Sequence, residues 1–137
     1  MKFSISIFIF TLFIFSSCKD DNTVQGTYVD TYIYLSEPSA VQLNAVGGWI
    51  YYPGGSKGLI VYRKSTNEFA AYDRMCTYDP TASCALLQVN SSGVTVVDSC
   101  CSSEFSLIYG GVTKGPASQS MIQYRTTYEA NSVHIFN

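Results

Sequence analysis

The sequence predicts a small all-β sandwich or barrel, and three observations carry that expectation. Short runs of alternating or solidly apolar residues follow one another closely from Tyr28 onward. Clusters of Gly, Pro, Asn and Ser separate them, which is where chains turn. No apolar period of 3.6 persists over ten or more residues beyond the first seventeen, so no long helix is expected there.

Residues 28–35 alternate polar with aromatic or apolar side chains, a strand pattern closed by Pro38. Val46-Gly47-Gly48 turns the chain into a short strand over residues 49–52, and Pro53-Gly54-Gly55-Ser56 ends it. Residues 59–62 are solidly apolar, as a central strand buried on both faces would be. Ser65-Thr66-Asn67 then gives a hairpin turn into a strand over 68–72. Residues 86–89 and 94–97 flank Asn90-Ser91-Ser92-Gly93, a hairpin signal with Gly where a positive φ is needed. A further strand is expected over 105–109, turned by Gly110-Gly111, with a loop at Gly115-Pro116-Ala117. Strands over 121–128 and 132–136, joined by Glu129-Ala130-Asn131, complete the pattern.

Before this β region, Lys2 precedes an apolar run over residues 3–15 that is too short to span a bilayer and lacks a basic stop-transfer flank. Residues 1–17 therefore read as a signal peptide. Ser16-Ser17-Cys18 resembles a bacterial lipobox, which makes Cys18 the expected lipidation site and the mature amino terminus. Lys19-Asp20-Asp21-Asn22 resembles the surface-export signal of lipoproteins from Bacteroidota-type bacteria. Such lipoproteins carry several acyl chains, and two or more chains anchor stably where one does not. The expectation is a protein held on the outer membrane by its lipid, at the cell surface or on the periplasmic face. Residues 18–26 would be the lipidated tether and residues 27–137 a single domain.

The formal charge is −2, and loss of Lys2 with the leader takes it to −2 minus 1, or −3. No net basic charge is left to attract nucleic acid, so that class of partner is not expected. Of five cysteines, four remain after Cys18, an even number in an oxidising compartment. Disulfides are the default for Cys76, Cys84, Cys100 and Cys101, with three pairings open.

The run Gly58-Leu59-Ile60-Val61-Tyr62-Arg63, followed by Glu68-Phe69-Ala70-Ala71-Tyr72-Asp73-Arg74-Met75-Cys76, resembles the entry to the first cluster loop of Rieske-type iron–sulfur domains. Asp98-Ser99-Cys100-Cys101-Ser102-Ser103-Glu104-Phe105 resembles the second loop, usually Cys-Pro-Cys-His-Gly-Ser-x-Phe, and the glycine and proline turns at 110–111 and 115–117 fall where that family has them. The resemblance covers roughly residues 28–137. It implies a Rieske-like fold with two cysteine-bearing loops at one tip. In that family each loop gives one Cys and one His to a two-iron cluster. Aligned on Ser103 and Phe105, the former ligand positions here are Cys76, Tyr78, Asp98 and Cys101, of which only Cys76 retains the family's residue. His134 lies in the last expected strand, outside both loops.

The resemblance thus implies that the cluster is lost and no cofactor is expected, with loop-to-loop disulfides Cys84–Cys100 and Cys76–Cys101 in its place. Alternatives stay open: a divergent 2Fe-2S cluster, a metal on Cys76 and Cys101, or zinc on all four thiolates. The four-thiolate spacing of seven, fifteen and no intervening residues is awkward for one tetrahedral ion. A labile bond between the adjacent Cys100 and Cys101, or between Cys76 and Cys101, could exchange with a partner thiol. Arg74 would favour such a thiolate, whereas Asp73, Asp79, Asp98 and Glu104 oppose it.

Other residues have plainer readings. His134 alternates with Val133 and Ile135 as a strand side chain at the rim, and the loop aspartates read as turn formers without calcium-loop spacing. Tyr51, Tyr52, Tyr62, Tyr72 and Tyr78 suit either a sugar-binding face or packing at the core edge. No catalytic constellation is visible, so the function expected is that of a non-enzymatic, disulfide-stabilised structural or interaction module with a protein or glycan partner. The rival functions are electron transfer through a divergent cluster and ligand binding at the cell surface.

Overall fold

The computed structural model describes residues 24–137; the leader and the lipidation site Cys18 lie outside the described residues. The chain forms ten strands and one short 3-10 helix among those residues. They are β1 (Asp30–Tyr34), the helix (Pro38–Asn44), β2 (Trp49–Tyr52), β3 (Leu59–Arg63), β4 (Phe69–Asp73) and β5 (Leu87–Val89). There follow β6 (Thr95–Asp98), β7 (Glu104–Ser106), β8 (Val112–Lys114), β9 (Gln123–Glu129) and β10 (Ser132–Phe136). No helix among the described residues is long and apolar enough to cross a membrane.

Two antiparallel sheets result, a six-stranded one in the order β1-β10-β9-β4-β3-β2 and a four-stranded one in the order β5-β6-β7-β8. β3 and β4 are buried at all five positions each, because both of their faces are covered. Leu59, Val61, Phe69 and Ala71 point into one core with Ile33, Ile50, Val133 and Ile135. The alternate residues Ile60, Tyr62, Ala70 and Tyr72 point into a second core with Leu87, Val96 and Phe105 of the small sheet. The period-two alternation of a strand thus lets β3 and β4 serve two cores at once. The first core draws on both edges of the large sheet, so that sheet curls on itself; the Tyr52 hydroxyl of β2 donates to the Tyr32 carbonyl of β1, 3.3 Å away.

The strands over 49–52 and 132–136 lie where the sequence places them, and the other expected strands differ by a few residues at their ends. Two elements were not anticipated. Strand β8 is only three residues long and has no buried member, so no alternation marks it. The 3-10 helix is too short to show a helical period and begins on Pro38. It is held by Arg63, whose buried guanidinium donates to the carbonyls of Leu43 and Asn44 at 2.9 and 3.1 Å. The strand expected over 105–109 stops at Ser106 because the chain turns there, with the Gly110 amide bonding back to the Ser106 carbonyl.

Asp73, at the end of β4, is fully buried and accepts from the amides of Ser56, Lys57 and Met75 and from the Tyr124 hydroxyl. Gly55 sits against it in the left-handed region (φ 63°), where a Cβ would lie 2.6 Å from Asp73 Oδ2. One carboxylate therefore ties the 53–58 turn, strand β9 and the start of the segment that carries Cys76. Burial, followed by the Asp73 carboxylate, pushes the Tyr124 phenol up, so it stays a donor to that carboxylate through the physiological range.

Replacing Asp73 with Ala should leave three amides and one phenol without their acceptor. The expected loss is about 3 kcal/mol or more, since each buried group left unpaired costs about 1–3 kcal/mol. Tyr124→Phe, which removes one bond, should cost about 1 kcal/mol. Urea denaturation of the two variants checks the order; equal midpoints would show that Asp73 does not organise this corner.

Candidate functional site

Two loops leave the sheets at one tip of the molecule. The first, residues 74–86, runs from β4 to β5, and the second, residues 99–103, joins β6 to β7. Each begins just past a buried aspartate, Asp73 and Asp98 respectively. Asp98 Oδ1 accepts from the amides of Cys100 and Cys101, and its carbonyl accepts from Ser102, which adopts φ 62°. This is a side-chain-capped turn, the usual reason for an Asp ahead of a tight loop.

The first loop is fixed from three sides. The Met75 amide bonds to Asp73 at 2.9 Å, the Thr77 hydroxyl donates to the Gln119 carbonyl at 2.7 Å, and the Lys57 ammonium donates to the carbonyls of Ala82 and Ala85 at 2.7 and 3.0 Å. In the second loop Ser103 is fully buried, and its hydroxyl oxygen accepts from the Ala117 amide at 2.9 Å and from the Cys101 thiol at 3.0 Å. Ser103 thereby ties the loop at 115–117 to the tip. Lys57 did not stand out in the sequence, and Ser103 served there only as an anchor of the family resemblance, because a polar side chain that binds backbone at long range leaves no local pattern of that role.

Cys84 and Cys100 are bonded to each other on the outside of the tip, sixteen residues apart in sequence. Beneath them, Cys76 is fully buried and Cys101 half-buried, and both are free thiols with their sulfurs 3.8 Å apart. The Cys76–Cys101 disulfide expected from the family resemblance is therefore not formed here; the sulfurs are in van der Waals contact and well beyond the roughly 2.05 Å of a disulfide bond. A zinc site on all four thiolates is also excluded in this form, since two of the sulfurs are joined to each other.

Cys76 Sγ, Cys101 Sγ and a carboxylate oxygen of Asp98 all lie within 4.8 Å of one another. Asp98 Oδ2 is buried and has no hydrogen-bond partner among the described residues. Burial, then the neighbouring Asp98 carboxylate, pushes the Cys76 thiol up to about 12, while the Tyr78 amide aimed at the sulfur pulls the other way. With its thiol protonated at neutral pH, Cys76 is a poor nucleophile. Thiol exchange led by Cys76 does not suit this pocket.

Of the other former ligand positions, Tyr78 points to solvent and contributes only its backbone. His134 sits in β10, its Nε2 2.7 Å from Asp30 Oδ1 and its ring stacked between Tyr32 and Phe136. That pairing draws the Asp30 carboxyl below its ordinary range. A Rieske cluster takes two cysteines and two histidines. The chain's single histidine is committed elsewhere, and the only other candidate position on the first loop carries an outward-facing tyrosine. The residues present do not fit the two-histidine cluster.

The tyrosines considered for a sugar-binding face do not share one. Tyr62 and Tyr72 are buried in the second core. Tyr52 packs against the first core. Tyr51 is exposed with the Arg74 guanidinium 3.8 Å from its ring centroid, and Tyr78 is exposed on the first loop. Asp73 and Asp79 are likewise used within the protein, Asp79 by its own turn with Thr81.

No family model matches the chain, and no curated protein matches it. Among solved structures it is similar to the cyanobacterial plasma membrane Rieske protein PetC3 from Synechocystis PCC 6803, with a TM-score of 0.58 and 19% identity. The match covers 78% of this chain and 99% of that one. Identity at that level speaks for the fold alone.

Removing the outer bridge with the double substitution Cys84→Ser, Cys100→Ser should cost about 3 kcal/mol by chain entropy for a loop of this length. Equilibrium unfolding checks it, and an unchanged midpoint would mean the tip is held by its hydrogen bonds alone. A second expectation concerns the inner pair: at pH 8, with both thiols free, iodoacetamide should modify Cys101 well before Cys76. Peptide mass spectrometry reads the order, and preferential labelling of Cys76 would contradict the burial and protonation described here.

Proposed function

We propose that this chain, which has the fold of a Rieske-type domain, is a membrane-tethered module that presents a rigid, cysteine-bearing tip and does not carry electrons. The observation that carries the reading is the fate of the former ligand positions. Cys76, Asp98 and Cys101 converge under the Cys84–Cys100 bridge, whereas Tyr78 turns outward and His134 is paired with Asp30 on another face. A two-iron centre of the Rieske kind needs histidines on one iron to set its potential, and none reaches this pocket. The bridge and the Asp98-capped turn instead make the tip stiff, and a preorganised surface binds a partner at lower entropic cost.

The leader and Cys18 support a lipid anchor on the outer membrane, with residues 18–26 as the spacer that lifts the domain off the bilayer. The similar cyanobacterial structure is of a plasma membrane protein, which agrees with membrane association of this chain. The partner sought would be a protein or glycan met at the membrane surface, and no enzymatic activity is proposed.

The competing reading is a divergent 2Fe-2S protein that uses Asp and Cys ligands, and the convergence of Cys76, Asp98 and Cys101 is what favours it. Visible absorption and low-temperature electron paramagnetic resonance separate the two. The full-length protein, purified anaerobically in detergent, should be colourless and give no signal after dithionite reduction; a reducible chromophore would overturn the non-redox reading. Metabolic labelling with an alkyne-bearing fatty acid should mark the wild-type chain and not Cys18→Ser. Equal labelling of both would remove the anchor from the proposal.

A further inference from the structure

The inner pocket of the tip has the donor set and the spacing for one tetrahedral metal ion. A tetrahedral zinc with Zn–S bonds of about 2.3 Å places two sulfur ligands about 3.8 Å apart. Cys76 Sγ and Cys101 Sγ are 3.8 Å apart. The Asp98 carboxylate closes the triangle, all three donor atoms lying within 4.8 Å of one another.

A second, independent observation points the same way. Asp98 is only 1% exposed, and its Oδ2 has no hydrogen-bond partner among the described residues. Its other oxygen is held by the Cys100 and Cys101 amides, which orient the carboxylate as an outer shell orients a metal ligand. Leaving a buried carboxylate oxygen unanswered is costly, and a cation beside it removes that cost. The sulfurs are similarly prepared. The Tyr78 amide faces Cys76 Sγ, and the Ser103 hydroxyl is 3.0 Å from Cys101 Sγ, able to turn its proton toward a thiolate.

We infer that Cys76, Asp98 and Cys101 bind a single zinc ion, with the fourth position left to water or an incoming ligand on the half-exposed side of Cys101. This deepens the reading above, since it concerns the same tip. The adjacency of Cys100 and Cys101 is no obstacle, because Cys100 is committed to Cys84 and only Cys101 faces inward. Two thiolates disfavour magnesium or calcium, and the carboxylate disfavours monovalent copper, which prefers sulfur alone. Binding is balanced by release of two protons, one from each thiol, while the carboxylate enters as an anion.

Cobalt serves as the probe. Full-length protein in detergent, stripped with a chelator, is titrated with Co2+ and followed through the thiolate-to-cobalt charge-transfer absorption and the intense visible bands of tetrahedral cobalt. One equivalent should saturate the signal, and one equivalent of zinc should abolish it. Cys76→Ser and Cys101→Ser should each remove the charge-transfer band or cut it to half. Asp98→Asn, which keeps an oxygen for the two amides, should weaken binding at least tenfold, about 1.4 kcal/mol. Asp79→Asn, in the same loop and outside the trio, should change nothing. Cys101 is half-buried, so its variant should keep the wild-type near-ultraviolet circular dichroism, which separates loss of binding from loss of fold. A missing cobalt signal, or one that Cys101→Ser leaves at full intensity, would overturn the zinc site. If the stripped protein instead proves to carry a Cys76–Cys101 disulfide, zinc is overturned while the non-redox tip stands. Iron with acid-labile sulfide, two of each per chain before stripping, would overturn both.

Discussion

A carboxylate is taken out of water only where something answers its charge and its lone pairs, and the tip of this molecule is built on two such groups. Asp73 and Asp98 stand at the ends of β4 and β6, where each strand becomes a cysteine-bearing loop. Asp73 is fully answered by three amides and a phenol. Asp98 is half-answered: Oδ1 caps its loop, Oδ2 is buried without a hydrogen-bond partner among the described residues, and a carboxylate oxygen lies within 4.8 Å of both sulfurs. The first aspartate is architecture. The second combines architecture with a buried oxygen that has no hydrogen-bond partner among the described residues, and the proposed zinc follows from that difference.

The framework decides where these groups meet. β3 and β4 are buried on both faces because two cores share them. Their ends are therefore among the most rigid points of the chain, and loop 74–86 departs from one of them. The small sheet, packed on the opposite face of the same strands, delivers Asp98 and Cys101 to the same place. The Cys84–Cys100 bridge then fastens the two loops from outside. At about 3 kcal/mol it is comparable with the cost of one or two buried unpaired groups, so covalent and polar restraints contribute on the same scale.

The β architecture was legible in the sequence because alternation and turn residues are local signals. The all-apolar stretch at 59–62 announced a strand buried on both faces, and Asn90-Ser91-Ser92-Gly93 announced its hairpin, in which Gly93 adopts φ 73°. The short strand β8 and the 3-10 helix were not legible, since one has no buried face and the other is held by Arg63 from a distant strand. At the site, the resemblance located both loops and the former ligand positions, while the residues alone left three cysteine pairings open. The resemblance paired Cys84 with Cys100 and Cys76 with Cys101, but neither source separated a bridged pair from a pair that stays as free thiols. That distinction depends on depth, and depth is set by Lys57, Ser103 and the 115–117 loop, which reach the tip from far along the chain. Asp98 read as a vanished ligand from its position in the family pattern and as a turn former from its residue type, and the amides of Cys100 and Cys101 over its Oδ1 show the turn-forming role.

The central claim is that cysteine and aspartate hold this tip in place of a histidine-ligated two-iron cluster. The most direct test is the native mass of the full-length protein, released from detergent without reductant or chelator. The account predicts one disulfide and one zinc ion per chain. A mass increase matching two irons and two sulfides would contradict it.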